Sequence, residues 1–442
     1  MEMLVLGLFA GGLFLCVVLQ ASILYGLAAG FLLFFGSGLY KKHTAREMLR
    51  MAVSGVKTVK NVLITFILIG MLTALWRAGG TIPFLVYHAL RVCSPRAMVL
   101  LTFLLCSAIA FMTGTAFGTA ATMGVICVSV AGSMGIPILY SGGAVLAGSF
   151  FGDRCSPMST SALLVATLTK TDLYRNIGTM FRTAAAPFVL TCAVYALLGL
   201  RAGASCDVSG MQALFSQSFR LHVAVAIPAA AILLLAVFRV NVKISMLVSV
   251  VCSVVVCAAV QGLSPTQIAR VALLGFAPDD AQLAQLLAGG GIVSMAKVFC
   301  VVCISSCYSG MFRATGLLDG LHGGLRKLSR VITPFGCIFV TASLASIIAC
   351  NQVLAIMLTQ QLCSDIEPDG ARMASALEDT AAVIAPLVPW SIAAAVPLAS
   401  VGAPSACILT ACYLYLLPLW RLAVELVRQK RRGAPSARQE RL

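Results

Sequence analysis

Two stretches of the chain set carboxylates beside prolines inside apolar sequence: GDRCSPMST at 152–160 and LEDTAAVIAPLVPW at 377–390. The first supplies Asp153, Ser156 and Ser159 around helix breaks expected at Gly152 and Pro157. The second supplies Glu378 and Asp379 ahead of breaks expected at Pro386 and Pro389. An ionised Asp at the centre of a bilayer costs roughly 2.5 to 3.5 kcal/mol on insertion scales, so something must neutralise it. Proline removes a backbone donor and frees a carbonyl one turn earlier. Carboxylates, hydroxyls and freed carbonyls make the all-oxygen shell that suits a hard cation, and interrupted helices are where many carriers build one. The alternative for the first stretch is a cytoplasmic loop with a solvated Asp153–Arg154 pair, close to Lys170, Asp172 and Arg175. The second stretch favours the membrane reading, because no basic residue lies between Arg372 and Arg421.

A third interruption, TGTAFGTAATMG at 113–124, places Thr113, Thr115 and Thr119 with three glycines in an apolar run. These threonines either line an ion path or bond back to their own helix carbonyls, with the glycines allowing close helix contact. Lys297 lies a few residues inside another apolar run. It either snorkels to the headgroups or serves as an internal counter-charge for the acids, a role open to Arg77 as well.

The elements that position these residues follow from composition. Of 442 residues, 60% are hydrophobic and 10% charged, with a mean hydropathy of +0.99, whereas soluble domains carry about 25% charged residues. Apolar runs close to 20 residues recur from end to end, the length a helix needs to cross the hydrocarbon, and alternating strand patterns are missing. The predicted fold is all-α: a polytopic membrane protein with about 11 to 13 transmembrane segments, some of them broken.

A net charge of +16 would suggest nucleic acid in a soluble protein. Here the basic residues cluster in connections, Lys41, Lys42, Arg46, Arg50, Lys57 and Lys60, and in a tail with Arg428, Lys430, Arg431, Arg432, Arg438 and Arg441. The positive-inside rule makes both segments cytoplasmic, and the expected partner is the lipid bilayer. The 17 cysteines are scattered through apolar segments as small hydrophobes. Cys300, Cys303 and Cys307 contain a CxxC with no histidine nearby and no second pair at zinc spacing, which reads as packing.

The chain also repeats itself. LWRAGGTIPFLVYHAL (75–90) aligns with MFRATGLLDGLHGGL (311–325), so that Arg77 meets Arg313 and Gly80 meets Gly316 at an offset of 236 residues. The same offset brings Thr113 to Ala116 onto Ala349 to Gln352, adding Asn351 and Gln352 to the candidate site. About ten residues of gap later, Gly152-Asp153 meets Glu378-Asp379. The segment after Arg77 should lie outside, while Arg313, Arg326, Lys327 and Arg330 look cytoplasmic. The two repeats are therefore expected to be inverted, as in many secondary transporters. The expected organisation is an N-terminal two-span hairpin with a basic loop (1–54), a first repeat (55–200), connecting spans (201–290), a second repeat (291–427) and the basic tail (428–442).

Enzyme signatures are not found: the chain has no HExxH, GxSxG or GxxxxGK. Phe150 stands where a GxGD intramembrane protease needs glycine.

With these residues in hand, the chain resembles the NhaC family of sodium/proton antiporters, a branch of the ion transporter superfamily that also contains malate/lactate exchangers. The resemblance runs from about residue 55 to 425 and rests on TGTAFGT, FGDRCSPMS with TDLYRNIGTMFRT downstream, GMFRATGLL and LEDTAAVIAPLVPW. It implies an inner-membrane carrier that exchanges internal Na+ for external protons without a bound cofactor. Residue by residue, Asp153, Ser156 and Ser159 match the family's GDxxSPxS, and Thr113, Thr115 and Thr119 match its TGT-xxGT. Glu378, Asp379, Pro386, Pro389 and Trp390 match its EDS-type motif. Three departures stand out. Thr160-Ser161-Ala162-Leu163 replaces Asp-Thr-Thr-Asn, Cys350-Asn351-Gln352 replaces Gly-Asp-Gln, and Ser391 replaces Asn after the tryptophan.

The mechanism these residues suggest is competition, in which a dry carboxylate holds either a proton or a cation. Asp153 and Asp379 are the expected exchanging groups and the ligands of transported Na+. Glu378 is their neighbour or the counter-charge to Arg77 or Lys297. The competing readings are an organic-anion or amino-acid carrier of the same fold, in which Lys297 or an arginine holds a carboxylate, and a channel. A homodimer is a possible assembly.

Overall fold

Hydroxyl residues, glycine and proline decide where the helices stop. The computed structural model describes residues 2–19, 21–202, 208–238, 240–315 and 332–433. Gly316, His322, Arg326, Lys327 and Arg330, along with tail residues Arg438 and Arg441, lie outside the described residues. So do the grounds they offered for the inverted hand and for the side of the tail. Among the described residues the only extended pairing is one isolated bridge, Phe276 to Gly289. Five helices are long and apolar enough to cross a membrane, or up to eight if each of three bent pairs is one span. This all-α, multi-pass architecture is the expected one. The difference from about 11 to 13 spans comes from runs that fold as half-length helices, such as Pro334–Ala349 and Gln352–Cys363.

The N-terminal hairpin is α1 (Glu2–Val18) and α2 (Ile23–Tyr40). The basic connection then folds as α3 (Ala45–Thr58), where Thr44 accepts from Glu47 N and Glu47 reaches back to Thr44 N in a capping box. Next come α4 (Lys60–Ala78), α5 (Thr81–Val92), α6 (Pro95–Thr113) and α7 (Ala116–Ser133), the last with a π-helical turn over Ala120–Gly124. α8 (Ile138–Cys155) and α9 (Thr160–Thr169) follow, then the long α10 (Leu173–Arg201), whose first turn is capped by Asp172. The connecting segment holds α11 (Val208–Ser218), α12 (Ile227–Val237), α13 (Val242–Ala259), α14 (Pro265–Leu274) and α15 (Ala281–Leu287). The last stretch holds α16 (Ala296–Thr315), α17 (Pro334–Ala349), α18 (Gln352–Cys363), α19 (Gly370–Asp379), α20 (Ala381–Ile384), α21 (Ile392–Ser400) and α22 (Cys412–Gly433).

The repeat is visible in the backbone. α4 starts at Lys60 and α16 at Ala296, the aligned position. α6 ends on Gly114 at φ 65, ψ 30, after which Thr115 turns extended at φ −149, ψ 120 and caps the next helix. α17 ends on Cys350 at φ 54, ψ 13, after which Asn351 turns extended at φ −152, ψ 132 and caps the next helix. The two polar interruptions aligned in the sequence are therefore one conformational device used twice: a left-handed stop followed by a polar cap.

Gly152 has a different role from the one its sequence suggests. It lies inside α8, and the chain breaks only at Ser156 and Pro157. With Gly148 it forms a G-x-x-x-G face on α6: a Cβ at 152 would sit 2.4 Å from Ser107 O, and one at 148 would sit 2.5 Å from Phe103 O. Small residues at this spacing let two backbones approach closely, which is what associates helices where no water drives them together.

The hairpin packs on α16. Phe9, Phe34 and Tyr308 meet edge to face at centroid distances of 4.9 to 5.2 Å, and the Tyr308 hydroxyl donates to the Leu27 carbonyl. α13 lies on α4, tied by Trp76 Nε1 donating to Ser249 Oγ at 3.0 Å.

Candidate functional site

Asp172, Asp280 and Asp369 spend their carboxylates on the free N–H groups of helix starts. Among the described residues, the acids left in the interior are Asp153, Glu378 and Asp379, and the single buried base is Arg154. They come from two elements. The last turn of α8 carries Asp153 and Arg154, and the last turn of α19 carries Glu378 and Asp379. Both helices stop just beyond, at Ser156 and at Thr380, so each pair stands at a mid-chain helix end, as the repeat alignment implies.

Asp153 is 6% exposed and forms part of the wall of a cavity of about 670 Å3. Its Oδ2 accepts from Ser161 Oγ at 3.2 Å, and Ser161 Oγ lies 2.8 Å from Ser159 Oγ. No described base lies within salt-bridge distance of Asp153, although Arg154 is its sequence neighbour. Side chains of adjacent residues on a helix point about 100° apart, so the two cannot share a face.

Thr113, Thr115, Asn351 and Gln352 line the same cavity, which joins both helix breaks to Asp153. Thr113 Oγ1 donates to Ile109 O at 2.9 Å and lies 3.4 Å from Thr119 Oγ1. Thr115 Oγ1 accepts from Gly118 N, and Asn351 Oδ1 accepts from Val353 N. Gln352 Nε2 donates to Ala382 O at 2.9 Å, holding α18 to α20. Ser156 accepts from Met158 N, and Ser159 caps α9. Ser156, Ser159 and Thr119 are buried but not on the cavity wall; they act on it through their neighbours.

The left-handed Gly114 carries a clear stability prediction. A Cβ there would lie 2.4 Å from Met158 C and 2.6 Å from Met158 O, against the backbone of the α8–α9 break. The left-handed conformation alone costs a residue with a Cβ about 1–2 kcal/mol. Gly114→Ala should therefore destabilise by more than about 2 kcal/mol, read as a lowered unfolding temperature of the detergent-solubilised protein.

Behind Asp153 lies a layer of charge. Arg154 donates from Nε to Glu378 O at 3.0 Å, from NH1 to Met180 O and Tyr413 Oη at 3.3 Å each, and from NH2 to Thr183 Oγ1 at 3.0 Å and to Asp379 Oδ1. Asp379 Oδ1 also accepts from Thr183 Oγ1 at 3.0 Å. Its Oδ2 faces Ser375 Oγ at 3.4 Å and Arg421 NH1 at 3.7 Å. Glu378 is fully buried, and neither of its carboxylate oxygens has a hydrogen-bond partner among the described residues.

The charged residues singled out in the sequence are not gathered in one place. Asp379 does not face Asp153 across the cavity; two arginines hold its carboxylate, and Glu378 is the acid whose oxygens stay unpartnered. Lys297 is exposed at the start of α16 and forms no ion pair among the described residues. Arg77 donates to Ala288 O at 2.6 Å, anchoring the loop before α16. The internal cation is Arg154, which the sequence offered only in the alternative reading, as half of a solvated loop pair. Pro386 falls in a short 3-10 turn after α20, and Pro389 precedes Trp390, whose Nε1 donates to Ile347 O at 3.0 Å.

Sequence reasoning also passed over Ser161, the direct partner of Asp153. The available signal was its place two residues after the cap Ser159, on the face of α9 that returns toward α8. If Asp153 holds a transported cation, Ser161→Ala should raise the cation concentration for half-maximal transport about tenfold, since a hydrogen bond to a charged group contributes about 1.5–3 kcal/mol. Initial rates in proteoliposomes across a range of Na+ measure it.

Helices that stop in mid-path and hold acids at the stops, beneath a polar cavity in a multi-pass helical fold, define a secondary transporter. The chain belongs to the Na+/H+ antiporter family, which matches residues 1–177 and 148–420. It is similar to the malate-2H(+)/Na(+)-lactate antiporter of Bacillus subtilis (strain 168), with 25% identity over 397 residues, covering 86% of this chain and 85% of that protein. It is also similar to the Na(+)/H(+) antiporter NhaC of Alkalihalophilus pseudofirmus, with 25% identity over 365 residues and coverages of 79% and 78%. The arginine/ornithine antiporter ArcD of Halobacterium salinarum is 27% identical over 355 residues, with coverages of 76% and 72%. The resemblance found from the motifs alone is thereby supported over most of the chain, and the family points to a transporter.

Proposed function

We propose that the protein exchanges Na+ or Li+ for H+ across the inner membrane, with Asp153 as the group that both ions occupy in turn. The observation that carries this reading is the Asp153 carboxylate itself: buried on a cavity wall, held by hydroxyls and paired with no base among the described residues. A carboxylate in that setting must be neutralised by whatever arrives from the cavity, and a proton and a metal cation cannot both be accommodated. Oxygen atoms supply the surroundings, which suits Na+ and Li+ as hard cations.

Glu378 completes the acid pair. A second carboxylate without a donor strengthens the demand for positive charge beside Asp153, so proton binding there is linked to cation release. Arg154 and Asp379 neutralise each other and hold α8 against α19, so that the pair keeps its spacing when it is discharged. Inward proton movement down the proton-motive force then drives Na+ outward, with the basic tail, by the positive-inside rule, expected on the cytoplasmic side.

The test is transport by purified protein in liposomes with an imposed pH gradient. Na+ and Li+ are expected to dissipate the gradient and K+ is not. A protein that leaves the gradient intact with every cation would rule the reading out.

A further inference from the structure

A second cavity, of about 470 Å3, lies between the start of α17, the first turns of α19 and the second half of α22. It shares no lining residue with the cavity that ends on Asp153. Three arginines and two glutamates line it: Arg372, Arg421, Arg428, Glu367 and Glu425.

The arginines of α22 are poorly matched. Arg421 NH2 stands 3.4 Å and Arg428 NH1 3.7 Å from the same Glu425 oxygen, and Arg421 NH1 stands 3.7 Å from Asp379, an acid already held by Arg154. Charge-assisted hydrogen bonds run about 2.7–2.9 Å, so these are loose ion contacts. The buried Nε of Arg421 has no acceptor at all among the described residues. Arg372 has its own acid, Asp369, at 3.7 Å, and Glu367 accepts from Asp369 N at 3.4 Å. The unmatched positive charge therefore belongs to α22, where one glutamate serves two guanidinium groups.

The rest of the α22 surface decides what kind of anion fits. Leu419, Trp420, Leu426 and Val427 are exposed on the same turns. Phe335 and Ile338 line the cavity itself, with Arg421 Cζ 5.7 Å from the Phe335 ring centroid. A free anion gains nothing from that apolar surface; an amphiphile with a phosphate at one end covers it. By the positive-inside rule this end of α22 is expected on the cytoplasmic side, whose leaflet carries anionic headgroups.

We propose that this cavity holds the phosphate of an anionic phospholipid between Arg421 and Arg428, with the acyl chains along the apolar surface of α22. The planar guanidinium fork matches a phosphate, and basic pockets between spanning helices bind such headgroups. The phosphate supplies the second anion that the two arginines lack and fastens α22 to the lipid around it. The site is independent of which ions the protein exchanges.

The experiment uses delipidated full-length protein in detergent, titrated with dioleoylphosphatidylglycerol, dioleoylphosphatidylcholine or inorganic phosphate while thermal unfolding is followed. Phosphatidylglycerol is expected to raise the unfolding temperature by about 3 °C or more beyond either comparison. Arg421→Gln and Arg428→Gln should each raise its half-saturating concentration at least about fivefold. Glu425→Gln, which frees both arginines, should lower it. Arg50→Gln removes the same charge from the exposed surface of α3 and should leave it within about twofold. Arg428 is 63% exposed, so its variant carries the test alone if loss of Arg421 unfolds the protein. Equal stabilisation by phosphatidylcholine or by inorganic phosphate overturns the inference. So does an Arg428→Gln titration that matches that of Arg50→Gln.

Discussion

Arg154→Gln is expected to remove about 3–5 kcal/mol of stability, because it leaves the buried Asp379 carboxylate without its main partner. The guanidinium is 2% exposed and reaches five acceptors on three other helices: the carbonyls of Glu378 and Met180, the Thr183 and Tyr413 hydroxyls, and the Asp379 carboxylate. Arg421 cannot substitute for it at 3.7 Å from the other carboxylate oxygen. A lysine offers one compact ammonium rather than a planar fork, so Arg154→Lys should recover less than half of the loss. Removing both charges together, as Arg154→Met with Asp379→Leu, should recover more than either single variant, since a buried ion pair is costly to break but not to replace. Thermal unfolding in detergent gives the readout. If Arg154→Gln melts within about 2 °C of wild type, the arginine is not the clamp described above.

Asp153→Asn should do the opposite: abolish exchange and leave the fold alone. Asparagine is isosteric, its amide oxygen still accepts from Ser161 Oγ, and no ion pair is broken, so the unfolding temperature should stay near that of wild type. Without a carboxylate the cavity floor can neither bind a proton nor attract a cation. Na+-dependent dissipation of a pH gradient is then expected to fall by more than about 100-fold. Asp379→Asn makes the comparison informative, because its carboxylate is held by arginines. Its main effect should be on stability, with exchange reduced in proportion to folded protein. Exchange surviving in Asp153→Asn would remove that residue from the ion path.

Much of this site was legible in the sequence, and the reasons differ by residue. The alignment of Thr113–Ala116 with Ala349–Gln352 located both helix breaks, because a left-handed stop followed by a polar cap leaves a polar gap in an apolar run. The three interior acids stood out for the same reason. What sequence spacing could not provide was which charges meet. Arg154 contacts an acid 225 residues away, not the one beside it, since neighbouring side chains on a helix diverge. Gly152 was expected at a break because glycine before a polar cluster usually marks one; here it is the contact point of a helix pair. Lys297 drew attention because it lies within an apolar run, but its place in the first turn of α16 leaves it at the surface.

The N-terminal hairpin is not a loose appendage. Phe9, Phe34 and the Leu27 carbonyl grip Tyr308 on α16. Any displacement of α16 must therefore drag the first two helices along or pull this aromatic cluster apart.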